Sequence, residues 1–173
     1  MNSAQLYLTT LPLSKPSKDV LIDSGAPRCM TPHQSWFVPD TYRVLPTPVK
    51  IYLGDDSIVN GIGVGTIQFQ HHTQDGSTQL FHIPDVIHAP MLSMALISVQ
   101  KLTRGNYKLI FDGDTCHIQK RSSKVVTAEA QLHHGLYHLL THPITFNDAE
   151  FAKAAIDINV LHHRMGHIGH SNI

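Results

Sequence analysis

Between Val49 and Phe69 the chain twice alternates apolar and polar residues, and the second run carries a glycine at 61, 63 and 65. Period-two alternation marks a half-buried strand, because successive side chains point to opposite faces of a sheet. Val49-Lys50-Ile51-Tyr52-Leu53 and Ile58 to Phe69 are therefore read as the arms of a hairpin turned by Gly54-Asp55-Asp56-Ser57. Glycine on three alternate positions leaves one face of the second arm bare, so that arm bends, bulges or lets another group approach closely.

The rest of the pattern agrees with a β body. Val20-Leu21-Ile22 is a short apolar run, and a polar stretch centred on Asp75-Gly76 turns the chain into Leu80-Phe81-His82-Ile83 and Val86-Ile87. Leu92 to Leu102 fits either a short helix or a buried strand followed by a helical turn. Tyr107 to Phe111, Cys116 to Gln119, Lys124 to Ala128 and Leu136 to Leu140 are further short strands, with Asp112-Gly113 turning the first. Strands at this spacing make a small barrel or sandwich. After Asn147-Asp148 the period changes: Phe151, Ala155, Ile158 and Leu161 fall near helical spacing behind an N-cap with Glu150 in the first turn. Residues 1–18, ending in Leu11-Pro12-Leu13-Ser14-Lys15-Pro16-Ser17-Lys18, read as a linker.

Composition narrows the functions. A chain of 173 residues with 42% hydrophobic content suffices for one domain, or a small domain with an appended segment. Thirteen basic and thirteen acidic residues balance to zero, so no electrostatic footprint for nucleic acid is expected. Cys29 and Cys116 lie far apart, which argues against a disulfide framework and for a reducing compartment. With no signal-like N-terminus and no run of about 20 apolar residues, the expectation is a soluble, cytoplasmic protein without membrane contact. The 14 histidines, several in pairs, are mostly read as surface residues.

The chemistry is carried by Asp23-Ser24-Gly25-Ala26, directly after the first apolar run. Peptide hydrolysis by carboxylates needs two of them sharing one proton, one activating water while the other protonates the carbonyl oxygen. The chain has a single Asp-Ser/Thr-Gly element, so the second carboxylate must come from a symmetric partner, which makes a homodimer the functional unit. Asp23 is the catalytic candidate. Ser24 would hydrogen-bond across the dimer axis, and Gly25 would leave room for the two backbones while its amide orients the carboxylate. Substrate would be covered by a water-excluding flap whose tip is either Gly54 to Ser57 or Gly61 to Gly65. Asp55, Asp56 and Asp85 are assigned to turns and surface.

Val20-Leu21-Ile22-Asp23-Ser24-Gly25-Ala26, Met30-Thr31-Pro32, Ile51 to Ser57, Gly61-Ile62-Gly63, Asp85 to Pro90 and Leu96 to Leu102 together closely resemble the protease region of Ty1/copia-type retrotransposon Pol polyproteins, the transposon TNT-like β-barrel domain. The resemblance implies a mainly β fold: a small closed retropepsin-like β-barrel over residues 19–112, obligate dimerisation and cleavage of the element's own Gag-Pol polyprotein. By the same likeness Leu96 to Leu102 matches the short element near the end of each retropepsin subunit. Residues 113–173 are similar to the start of the Gag pre-integrase segment, strands followed by a helix, on the strength of Gly135 to Leu139 and of Leu161-His162-His163-Arg164-Met165-Gly166-His167. There the resemblance implies zinc ligands at His162 and His167, awaiting a Cys-x-x-Cys that does not occur before Ile173. The protease itself needs no cofactor. Virus-like particles in the cytoplasm, or the nucleus for an integrase complex, are the implied locations.

The chain departs from the family at Pro27, where Ser or Thr is usual, and at Cys29, where His is usual. Proline removes an amide donor beside the loop, which threatens a hydrogen bond to the carboxylate. The alternative function is therefore an inactive or co-opted fragment acting as a structural or binding module, with an incomplete integrase zinc segment.

Overall fold

The computed structural model describes residues 16–72 and 76–154. Its first strand, β1 (Val20–Asp23), is apolar at three successive positions, as suits a strand covered on both faces. It lies parallel to β6 (Ala95–Ser98), with Val20 opposite Ala95 and Asp23 opposite Ser98. Its other edge pairs antiparallel with β10 (Leu136–Leu139), so Leu21 faces His138 and Ile22 faces Tyr137. The two-residue β2 (Met30–Thr31) then inserts between β6 and β5 (Thr78–His88).

Residues 33–42 form two 3-10 turns that drive Trp36 and Phe37 into the core, a feature with no periodicity to announce it. β3 (Arg43–Tyr52) extends further upstream than its alternation indicates. It carries Pro46 and Pro48, which an edge strand tolerates because one row of amides needs no partner. Among the described residues it pairs only with β4 (Ile58–His72), irregularly between Val44 and Val49. β4 pairs in turn with β5, which is one strand bulged at Asp85 (φ 56°), not two separate runs. Asp85 meets Lys101 at 3.0 Å.

The stretch from Leu92 resolves as a strand followed by a helix: β6 runs into α1 (Val99–Arg104). A meander follows, β7 (Tyr107–Asp112), β8 (Thr115–Lys120) and β9 (Val126–His133) leading to β10, and β11 (His142–Pro143) returns to β4. His134 (φ 48°) and Gly135 (φ 81°) make the tight link between β9 and β10, in which consecutive left-handed residues match the twist of the strands. A last helix over residues 148–154 starts at Asn147, whose side chain accepts from the Glu150 amide at 3.1 Å while Glu150 takes the Asn147 amide at 2.7 Å. That reciprocal cap is the predicted helix start. Phe151 packs edge-on against Tyr42, whereas Ala155, Ile158 and Leu161 lie outside the described residues.

The class is mainly β, as expected. The barrel is not closed, however. The paired order runs β11-β4-β5-β2-β6-β1-β10-β9-β8-β7, and among the described residues no ladder joins its ends. β4 pairs with β5 on one edge and with β3 and β11 on the other, so it offers no free edge to β7 at the far end.

The main core joins Phe69, Phe81, Ile97 and Trp36 to Cys116, Ile118 and Ala128 of the meander, so the meander shares the interior of the strands before it. Both cysteines are buried and free, and burial pushes each thiol up to about 11. Among the described residues no helix is long and apolar enough to cross a membrane.

The alternate glycines of β4 serve close packing. A Cβ on Gly63 would sit 2.5 Å from the Tyr42 hydroxyl, and one on Gly65 would lie 2.9 Å from the Phe37 ring, while Gly54 has open space around it. Gly63→Ala is therefore expected to destabilise the fold by about 1–3 kcal/mol through overpacking, with Gly54→Ala free of that cost. Urea denaturation of the two variants checks the contrast; equal midpoints would refute the packing account.

Candidate active site

Asp23 closes β1, and its carboxylate accepts the Gly25 amide at 2.7 Å. The expected orientation of Asp23 by Gly25 is thus present within one copy of the loop. The bond does not involve Pro27, so proline at that position leaves it intact. Ser24 and Gly25 are exposed, and Pro27 and Arg28 are exposed beside them, whereas Ala26 and Cys29 turn inward.

What holds this loop is a residue the motif does not contain. Ser98 is fully buried at the junction of β6 and α1. Its hydroxyl donates to the Ala26 carbonyl at 2.5 Å and accepts the Lys101 amide at 3.1 Å, capping α1. Its own amide donates to Cys29 Sγ at 3.3 Å. Cys29 further passes its carbonyl to the Ile87 amide at 2.9 Å, so the loop is tied to β5 and β6 before β2 begins. Serine three residues before Lys101 at the head of a helical run is an N-cap signal, the one trace of this arrangement in the sequence.

The loop opens onto a cleft of about 490 Å³, within the range of small-molecule and peptide sites. Ala26, Met30, Ile87 and Leu96 line it together with Val49 to Gly54 of the β3–β4 hairpin, and Asp23 is part of the same lining. Of the two glycine segments, only Gly54 to Ser57 forms the hairpin turn. The Leu53 amide reaches the Ser57 carbonyl at 2.9 Å, and Asp56 adopts φ 62°. The Asp55 carboxylate takes both the Ser57 hydroxyl, at 2.6 Å, and the Ser57 amide, at 3.1 Å, which lowers its pKa. Asp55, Asp56 and Asp85 are thus turn and surface residues, as assigned.

A second polar pair lies behind β4. His88 is buried, and its Nδ1 is 2.8 Å from the Tyr42 hydroxyl. Burial lowers the His88 pKa below its ordinary 6.5, a hydrogen bond with the Pro32 backbone opposes this, and the nearby His33 adds to the lowering. His162 and His167 lie outside the described residues. Among the described residues no three metal-ligating side chains are grouped to hold an ion.

A mainly β body with one Asp-Ser-Gly loop at the mouth of a hairpin-covered cleft defines the class. The family model described as the β-barrel domain of Pol polyproteins matches residues 20–107, and the chain belongs to that family, a retrotransposon Pol region. Comparison with curated proteins and with solved structures finds no match.

Two stability outcomes follow. Ser98→Ala strands the buried Ala26 carbonyl and uncaps α1, and is expected to cost about 2–4 kcal/mol by urea denaturation. Because the folded pKa of His88 is depressed, its contribution is whole above the unfolded value of 6.5 and is lost as pH falls below it, while the unfolded chain takes up the proton first. His88→Gln should flatten the fall in stability between pH 6.5 and 5; an unchanged slope in thermal melts would exclude His88 as its source.

Proposed function

We propose that this Pol region is an aspartic endopeptidase that works as a homodimer on polyprotein peptide segments. The observation carrying the reading is the Asp23 carboxylate, held by the Gly25 amide and facing a cleft between its own loop and the β3–β4 hairpin. In the dimer two Asp23 side chains approach across the axis. Two carboxylates that close cannot both ionise easily, so they share one proton and titrate as a pair. The ionised partner takes a proton from water as it attacks the scissile carbonyl, and the protonated partner delivers its proton to the carbonyl oxygen. Ser24, exposed beside Asp23, would bond across the axis. The Gly54 to Ser57 turn acts as the flap, and its Asp55–Ser57 bonds keep the tip in one shape while the arms move.

The test is cleavage of a peptide spanning a Gag-Pol junction at mildly acidic pH, with dimerisation followed by sedimentation. Asp23→Asn is expected to lower the rate by at least about 10²- to 10⁴-fold. Equal cleavage by that variant would remove Asp23 from the mechanism. A folded dimer that neither cleaves nor binds a pepstatin-type inhibitor would instead support the scaffold function.

A further inference from the structure

Reading the cleft as a peptide site, we infer that it selects segments in which an acidic side chain stands next to a bulky apolar one, with Arg28 and Lys50 as the residues that read the charge. The apolar half of the preference comes from the floor. Ala26, Met30 and Ile87 belong to the smaller core cluster, and Leu96, Ile51 and Leu53 pack against it, so the cleft wall is a continuation of the interior. An aliphatic or aromatic side chain seated there is removed from water on several sides.

The charged half comes from two elements that share this cleft. Arg28 stands on the loop after β1 and Lys50 on β3; both are exposed and both line the cleft. Lys101 and His117 each face a carboxylate, Asp85 and Glu129, but among the described residues neither Arg28 nor Lys50 has an ion-pair partner. The hairpin's own acids do not cancel them: the Asp55 carboxylate is held by Ser57, and neither Asp55 nor Asp56 lines the cleft. Asp23 is the single carboxylate of the lining, against two cations. Low-dielectric walls concentrate such a field, so the cleft attracts an incoming carboxylate and repels an incoming ammonium.

The experiment measures binding of three labelled nonapeptides by the full chain, identical except for Glu, Gln or Lys beside a Leu-Phe pair. Asp23→Asn protein is used in parallel, so that turnover does not consume the probe. The Glu peptide is expected to bind about five- to tenfold more tightly than the Gln peptide at low ionic strength, and the Lys peptide more weakly than either. The ranking should shrink in 0.5 M salt, as exposed charges are screened. It should vanish in Arg28→Ala/Lys50→Ala and invert in Arg28→Glu/Lys50→Glu; both positions are exposed, and circular dichroism confirms that each variant is folded. Equal affinities for the three peptides, a ranking indifferent to these substitutions, or no binding of any peptide overturns the inference. Cleavage is scored separately. Charge-ranked binding without cleavage defeats the endopeptidase reading alone, and cleavage without ranking defeats only the selectivity.

Discussion

β1 is four residues long and buried, and so short a strand stays in place only through the neighbours on its two edges. Parallel pairing to β6 and antiparallel pairing to β10 fix its register. A slip of one residue would carry Asp23 to the opposite face and bring Ile22 toward the cleft, so the address of the carboxylate is a property of those two ladders. The same β6 ladder brings Ser98 opposite Asp23, and from there its hydroxyl reaches past the loop to Ala26. The matched family region ends at 107, yet β10 lies at Leu136–Leu139. The strand that seals the second edge of β1 therefore comes from beyond the matched region, and the meander that delivers it buries Cys116, Ile118 and Ala128 in the common core.

In the β3–β4 hairpin the requirements are different. Its Ile51 and Leu53 pack on the cluster that lines the cleft, while β4 must still pack on Tyr42 and Phe37 further along. The chain meets both by dividing its glycines. Gly61, Gly63 and Gly65 let Ile87, Tyr42 and Phe37 come close to the β4 backbone, and Gly54 opens the turn where nothing is near. β3, exposed over most of its length and carrying two prolines, offers few amides to a stray strand. An edge that discourages aggregation and a tip braced by the Asp55–Ser57 bonds suit the cover proposed for this hairpin.

Local chemistry was legible where one residue type has one physical use. The alternation of β4, the Asp-Ser-Gly turn and the Asn147–Glu150 cap all stand where their patterns put them. The glycine run was ambiguous, since a bare strand face serves a flap or a packed neighbour equally well, and Ile87, Tyr42 and Phe37, all distant in sequence, decide between them. Trp36 and Phe37 sit in a segment without periodicity, so their burial was invisible. Ser98 and Cys29 are 69 positions apart, and their bond depends on the antiparallel pairing of β2 with β6, which no local window contains. Closure failed for a related reason: whether the ends of a sheet meet depends on tilt and on what occupies each edge, here β3 and β11 on β4, rather than on strand spacing.

The proposed carboxylate pair, sharing one proton, would do its chemistry on the acid side of neutrality, and that is where His88 stops contributing to stability. His88 is kept neutral by burial behind the Gly63 notch, with Tyr42 on its Nδ1. Acidification that favours the shared proton also favours the unfolded chain, in which the same imidazole is free to charge. The proposed association would relieve the conflict. A dimer would withdraw native monomer from the unfolding equilibrium by mass action, so stability at acid pH would rise with protein concentration. Where many copies of a polyprotein are held close together, the condition that would assemble the proposed second Asp23 would also be the one that lets the fold tolerate the pH at which the pair would work.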